Sequence, residues 1–214
     1  MQKLNIKSDN NYYVSNGKQF SPEAVFGKRP IKKAFNFAYA MSFGEEGQHR
    51  DHRTGGNNRR KNGEIFINTF QGKLSEIAIY YCIKKLNESA FKKLSKLDFD
   101  IHPLGVWDDT DVTLENIKIS VKSTSSKGNL LLLETKDWNK NGEYTPNIGT
   151  EKSYIYDYFV LVRIEPDGKK IMANNKLFYS DHINENILWN LINREEWKYD
   201  IAGYILHFRQ KREV

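Results

Sequence analysis

The residues best placed to do chemistry lie between Asp111 and Lys122, in the run D-V-T-L-E-N-I-K-I-S-V-K. An aspartate opens a short hairpin, and Ser120 and Lys122 follow on a segment that alternates apolar and polar residues. Side chains on a strand alternate faces, so Ile117, Ile119 and Val121 share one face and Lys118, Ser120 and Lys122 the other. Such a hairpin can bring a carboxylate and an ammonium against one phosphate and one metal ion. An ordinary amphipathic hairpin with solvated lysines shows the same alternation, so the case rests on what else the chain supplies.

Glu76 is the second such residue. It belongs to G-K-L-S-E-I-A-I-Y-Y-C-I and is expected in the first turn of the most apolar helix of the chain. The helix dipole alone favours a carboxylate there. Burial of the helix would also turn that carboxylate toward an interior cleft, where it can bind a metal or orient a water. Lys73, one turn earlier, is expected to touch a nucleic-acid backbone or to be solvated.

The net charge of +6 is confined to one stretch. Residues 28 to 62 hold nine Lys and Arg against three acids, so the remainder of the chain is balanced. A local basic surface raises the concentration of polyanions around it and speeds encounter with them. Within that stretch, residues 44 to 63 (G-E-E-G-Q-H-R-D-H-R-T-G-G-N-N-R-R-K-N-G) combine glycines, paired asparagines and almost no apolar residue, which predicts a long loop. Arg50, Arg53, Arg59 and Arg60 suit phosphates or guanine edges, and Asn57 and Asn58 suit adenine. His49 and His52 have no cysteines or second pair nearby, which disfavours a four-ligand zinc site.

The elements that must position these groups follow from apolar patterning. Residues 31 to 43 are aromatic-rich and fit a helix or a strand. Residues 64 to 70 alternate as a short strand, and 71 to 96 read as a helix whose centre, Ile77 to Ile83, is continuously apolar. Strands are predicted at 101–107, 112–123, 128–135, 155–164 and from Tyr199 to Phe208, and a helix at 180–195; 136–153 read as a loop. A chain of 214 residues is most simply one domain, residues 1–214, and this order predicts an α/β fold with a central mixed β-sheet flanked by helices. No apolar run approaches the ~20 residues that span a bilayer. The N-terminus lacks the apolar core of a secretory signal, and the lone Cys82 cannot form an intrachain disulfide, so a cytoplasmic setting is expected.

With Glu76, Asp111, Ser120 and Lys122 in that order, the chain resembles the PD-(D/E)xK nuclease superfamily, and most of all its type II restriction endonucleases. The family places an Asp at a hairpin start, (D/E)-x-K on the next strand, and often a Glu on the preceding helix. Here T-D-V carries the Asp, I-S-V-K-S the second element and F-Q-G-K-L-S-E the helix element. The resemblance covers roughly residues 64 to 164 and implies a restriction-endonuclease-like fold. It departs at Ser120, where most members have a second metal-binding carboxylate. Some members share that serine and recruit a later glutamate, so Glu134 is a candidate to fill the gap, and Glu76 is another. An alternative register takes Glu134, Thr135 and Lys136 as the E-x-K itself, with Asp111 or Asp109 as its partner.

The resemblance implies Mg²⁺-dependent hydrolysis of double-stranded DNA at a short specific site. Asp111, Glu76 and Glu134 would form the metal-binding acidic set, and Lys122 would hold the water. Hard oxygen ligands and retained waters are what Mg²⁺ requires. A palindromic target would further imply a homodimer. A repair-type nuclease on the same fold, or a non-catalytic DNA-binding protein, are the alternatives.

Overall fold

The computed structural model describes residues 5–9, 11–13, 17–44, 60–100, 111–131, 133, 135–149 and 155–206. Along the chain, a small hairpin of β1 (Asn5–Ser8) and β2 (Asn11–Tyr13) precedes the two-residue strand β3 (Ala24–Val25). Three helices follow: α1 (Lys28–Phe43), α2 (Asn62–Leu86) and the single turn α3 (Glu88–Phe91). Next come β4 (Val112–Leu114), β5 (Ile117–Ser125), β6 (Tyr158–Glu165), α4 (Gly168–Asn174), α5 (Glu185–Asn193) and β7 (Lys198–Leu206). The expected α/β class with a mixed sheet is therefore what the chain forms.

The sheet runs β3-β7-β6-β5-β4. Only β5 and β6 pair in parallel; the other neighbours are antiparallel. Both edge strands are two or three residues long and pair only with Lys198 and Tyr199 of β7 and with residues 117–119 of β5. The β4 edge is further covered by residues 94 and 95: Leu94 bridges Leu114, and Ser95 N–H donates to Thr113 O.

The long helix α2 organises the core. It has 25 residues, a length of about 37 Å at 1.5 Å per residue. Glu64 in its first turn and Lys84 and Lys85 in its last complement the helix dipole. Phe66, Phe70, Leu74 and Ala78 pack in one cluster with Ile119, Val121, Val162, Ile164 and Tyr199 of the sheet and with Phe35 and Ala38 of α1. Each large apolar side chain so buried contributes roughly 1.5–3 kcal/mol. α2 is thus enclosed by α1 on one side and the sheet on the other.

That enclosure corrects several expectations. Residues 64 to 70 are helical, because Ile65, Phe66 and Ile67 are buried in succession, which a strand with one covered face cannot do. Glu76 consequently lies in the middle of α2, beyond reach of the helix N-terminus, so the first-turn argument for it falls away. The predicted loop 44–63 ends earlier than expected: Asn62 and Gly63 already belong to α2, and residues 45–59 lie outside the described region. The helix expected over 71–96 stops at Leu86, where Asn87 caps the short α3. Residues 31–43, which fit either element, lie in α1.

The run 128–135 forms no strand among its described residues and enters a 3-10 turn at Thr135. A second 3-10 turn, Thr145–Asn147, lies within the loop expected at 136–153. Residues 101–110 are outside the described region. Helix α4 lies between the predicted strand 155–164 and the predicted helix 180–195, and Asp167 caps it by accepting from Lys170 N–H. Among the described residues, no helix is long and apolar enough to cross a membrane.

The sheet face turned away from α2 is covered differently. The register pairs Ser120 with Phe159 and Lys122 with Leu161. Trp138 packs edge-on to Phe159 at 5.3 Å between centroids, with Tyr156 beside both. Further along the same face, Arg163 and Asp200 form a buried ion pair that also grips residues 18 to 21.

Candidate functional site

The predicted hairpin exists, and it brings Asp111, Ser120 and Lys122 together. β4 and β5 pair antiparallel, with Val112 opposite Ile119 and Leu114 opposite Ile117. Glu115, with φ of 55°, makes the tight turn between them. Asp111 sits one residue before β4, so its side chain reaches across to β5. Its Oδ2 accepts from Val121 N–H at 2.6 Å and from Ser120 Oγ–H at 3.2 Å, while Lys122 Nζ stands 4.0 Å away.

These contacts explain the serine. Ser120 is 2% exposed, and its hydroxyl holds one oxygen of the Asp111 carboxylate. A second carboxylate at this position would instead face Asp111 with like charge. Among the described residues all the contacts of Asp111 fall on Oδ2; the side chain is 32% exposed and that of Lys122 is 46% exposed. The pair therefore combines a fixed carboxylate with an accessible ammonium.

Glu76 belongs to a different polar group. Lys73 Nζ donates to Glu76 Oε2 at 2.8 Å, and both side chains are nearly buried. The same ammonium lies 4.8 Å from the centre of the Phe37 ring and 5.6 Å from that of Phe99. The Lys73–Glu76 pair therefore faces α1 and the segment before residue 100. Tyr80, the next residue along this stripe, has its phenol pushed up chiefly by burial, and the charge of Glu76 adds to that effect. Lys73 is thus engaged inside the protein and is not presented at its surface.

The remaining predicted residues divide by position. Glu134, Arg50, Arg53, Asn57, Asn58 and Arg59, together with His49, His52 and Asp109, lie outside the described residues. Arg60 is half-buried just before α2. Lys136 is exposed on a 3-10 turn. Among the described residues, no three His, Cys, Asp or Glu side chains gather as a metal cluster.

Sequence reading passed over two groups. Asp157 accepts from Lys118 N–H at 2.8 Å and so fixes the start of β6 against β5. Arg163 donates to Asp200 through Nε at 2.7 Å and through Nη2, with the two side chains 0% and 1% exposed. A visible signal marked each of them: an acid in I-Y-D-Y and an arginine inside V-L-V-R-I.

Comparison of the chain with protein-family models, with curated proteins and with solved structures finds no match.

Proposed function

We propose that the chain is a Mg²⁺-dependent endonuclease that hydrolyses double-stranded DNA at a short specific site, built on a restriction-endonuclease-like sheet. The observation that carries this reading is the hairpin itself. It places Lys122 4.0 Å from an Asp111 carboxylate braced by Val121 and Ser120, with both side chains accessible.

The donor chemistry fits the ion. Mg²⁺ takes one or two carboxylates and completes its shell with waters and phosphate oxygens, and Asp111 Oδ1 is a hard oxygen held in one orientation. Of the two glutamates proposed as second ligand, Glu76 is already neutralised by Lys73, which favours Glu134. Bound there, the ion would supply charge neutralisation at phosphorus and an acidified water.

The chain's own groups do the rest. Asp111 orients, and Ser120 and Val121 keep its carboxylate from rotating. Lys122 donates a hydrogen bond to the attacking water or to a non-bridging phosphate oxygen, where negative charge develops. The basic segment around residues 44–63 steers the polyanion and is the proposed base-reading element. A two-fold symmetric target would call for two copies of the chain, each cutting one strand.

Incubation of purified protein with plasmid DNA tests this. Discrete fragments are expected with Mg²⁺ and none with a chelator. Asp111→Asn and Lys122→Ala are each expected to lower the cleavage rate by about 10²–10⁴-fold while leaving gel-shift binding in place. Smeared products point to a repair-type nuclease, and intact DNA under all conditions overturns the catalytic reading. Loss of cleavage in Lys136→Ala but not in Lys122→Ala would move the site to the Glu134–Lys136 register.

A further inference from the structure

Helix α1 carries a concentration of positive charge with little to oppose it. Lys28, Arg29, Lys32 and Lys33 fall within its first six residues, and the chain has no acid between Glu23 and Glu45. Ile31, Ala34, Phe35 and Ala38 turn inward, so the helical period puts Arg29, Lys33 and Asn36 on the opposite, exposed face.

These cations are unequally engaged. Lys32 stands 3.8 Å from Glu185 Oε1 and 4.3 Å over the Trp189 ring. Lys33 rests 3.9 Å over the Phe99 ring, and Asp98 and Asp100, which flank Phe99 in the chain, bound the basic face on that side. Lys28 and Arg29 are exposed and have no carboxylate or ring partner among the described residues. The helix dipole disfavours cations in a first turn, and no acid there offsets them. Their placement works against the helix and is relieved by a bound anion.

The shape of the face selects that anion. An outward helix face cannot enclose a small ion, and a single solvent-exposed ion pair gains little. A polymer with regularly spaced charges gains from several contacts at once. Arg29 and Lys33 are one turn apart, about 6 Å along the axis, close to two base steps of ~3.4 Å. A helix that lies on a membrane presents large apolar residues to it, and α1 exposes none.

We infer that the outward face of α1 binds the phosphate backbone of duplex DNA, with Lys28, Arg29 and Lys33 as its cations. The choice of a duplex rests on the nuclease reading. The binding itself needs neither Asp111 nor a metal ion, so it is measured in chelator, apart from cleavage. Phosphate contacts position a duplex without reading its sequence, which separates this face from any base-reading element.

Fluorescence anisotropy of labelled duplexes of several sequences, followed from about 0.05 to 0.2 M salt, tests the assignment in the wild type, Arg29→Ala, Lys33→Ala, the double variant and Lys93→Ala. Each lost phosphate contact should lower the slope of log K against log salt by ~0.9 and weaken binding about eightfold at ~0.1 M salt, equally for every sequence. Lys93→Ala removes a charge already paired with Glu115 at 2.8 Å and should leave the slope unchanged. Arg29→Ala should melt no lower than the wild type, because it relieves the helix dipole; a lower midpoint would make Arg29 a structural residue and overturn its role here. A wild-type slope in both Arg29→Ala and Lys33→Ala, or an equal loss in Lys93→Ala, overturns the inference and leaves the nuclease reading in place. Weakened binding of these variants to anionic phospholipid vesicles, with duplex binding unchanged, overturns it in favour of a membrane surface. A wild type that binds no duplex overturns both readings, and one that binds without cutting in Mg²⁺ overturns only the nuclease reading.

Discussion

At the scale of single residues, the charges on the sheet face turned away from α2 fall in two settings with different consequences. Near the hairpin, Asp111 stays accessible and is steered by neutral donors, so its charge remains available to a ligand. Deeper in the sheet, Arg163 and Asp200 are sealed against each other and bind the chain before β3: Arg163 donates to the carbonyls of Lys18 and Gln19, and Asp200 Oδ2 accepts from Ser21 N–H at 3.0 Å. Removing one member of such a pair leaves the other charge stranded. Asp200→Ala is therefore expected to lower stability by ~3–5 kcal/mol, measured by chemical denaturation. Trypsin should also cut faster after Lys18, because the segment loses its anchor on the sheet. Unchanged stability and unchanged cleavage at Lys18 would show that the carbonyl contacts of Arg163 suffice.

At the scale of elements, α2 decides where everything else sits, and its first turn is the tightest joint. Gly63 N–H donates to Ser180 O at 2.9 Å, Asn62 Nδ2 donates to Asp181 O, and Lys61 forms an ion pair with Asp181. A Cβ on Gly63 would stand 2.0 Å from Leu177 O and 2.9 Å from Phe178 O. Those are backbone atoms that cannot turn aside, so Gly63→Ala should destabilise the protein by about 3 kcal/mol, the upper end of overpacking costs. A thermal melt within a degree or two of wild type would rule this out. The same joint shows what the residues disclosed and what they hid. The alternation around Ile119 and Val121, the apolar β6 and the position of β7 were legible, because a sheet with two covered faces imposes its period on the residues. The start of α2 was not. Ile65 to Ile67 look like strand when read locally, and only the presence of α1 on their far side makes a helix buried all round stable there. Placing Glu76 in a first turn followed from that misplaced boundary. The serine at 120 was legible as a gap in a pattern, but its hydrogen bond to Asp111 was not, since a hydroxyl's partner depends on how the hairpin closes.

At the scale of the whole molecule, burial of many phenols on the α2 side ties stability to alkaline pH. Tyr199, Tyr39, Tyr80 and Tyr81 all have their phenols raised above the ordinary 10.0, each chiefly through burial. Burial likewise raises the Cys82 thiol above 9.0, and its neighbour Tyr199 is raised further by that thiol. The sign follows from which state holds protons. Below about pH 8 these groups are protonated in folded and unfolded chains alike, and they contribute no pH dependence. Above it, the unfolded chain releases protons that the fold retains, so unfolding is favoured increasingly as pH rises. Thermal melts should therefore show little change from these groups between pH 6 and 8 and a falling midpoint from 8 to 11, steepest above 9 where the phenols join the thiol. Tyr199→Phe should flatten the fall, because Tyr199 carries the largest shift and its replacement removes a proton that only the unfolded chain gives up readily. A midpoint that stays level to pH 11 would mean that solvent reaches these rings and that the α2 side of the core opens more easily than its packing implies.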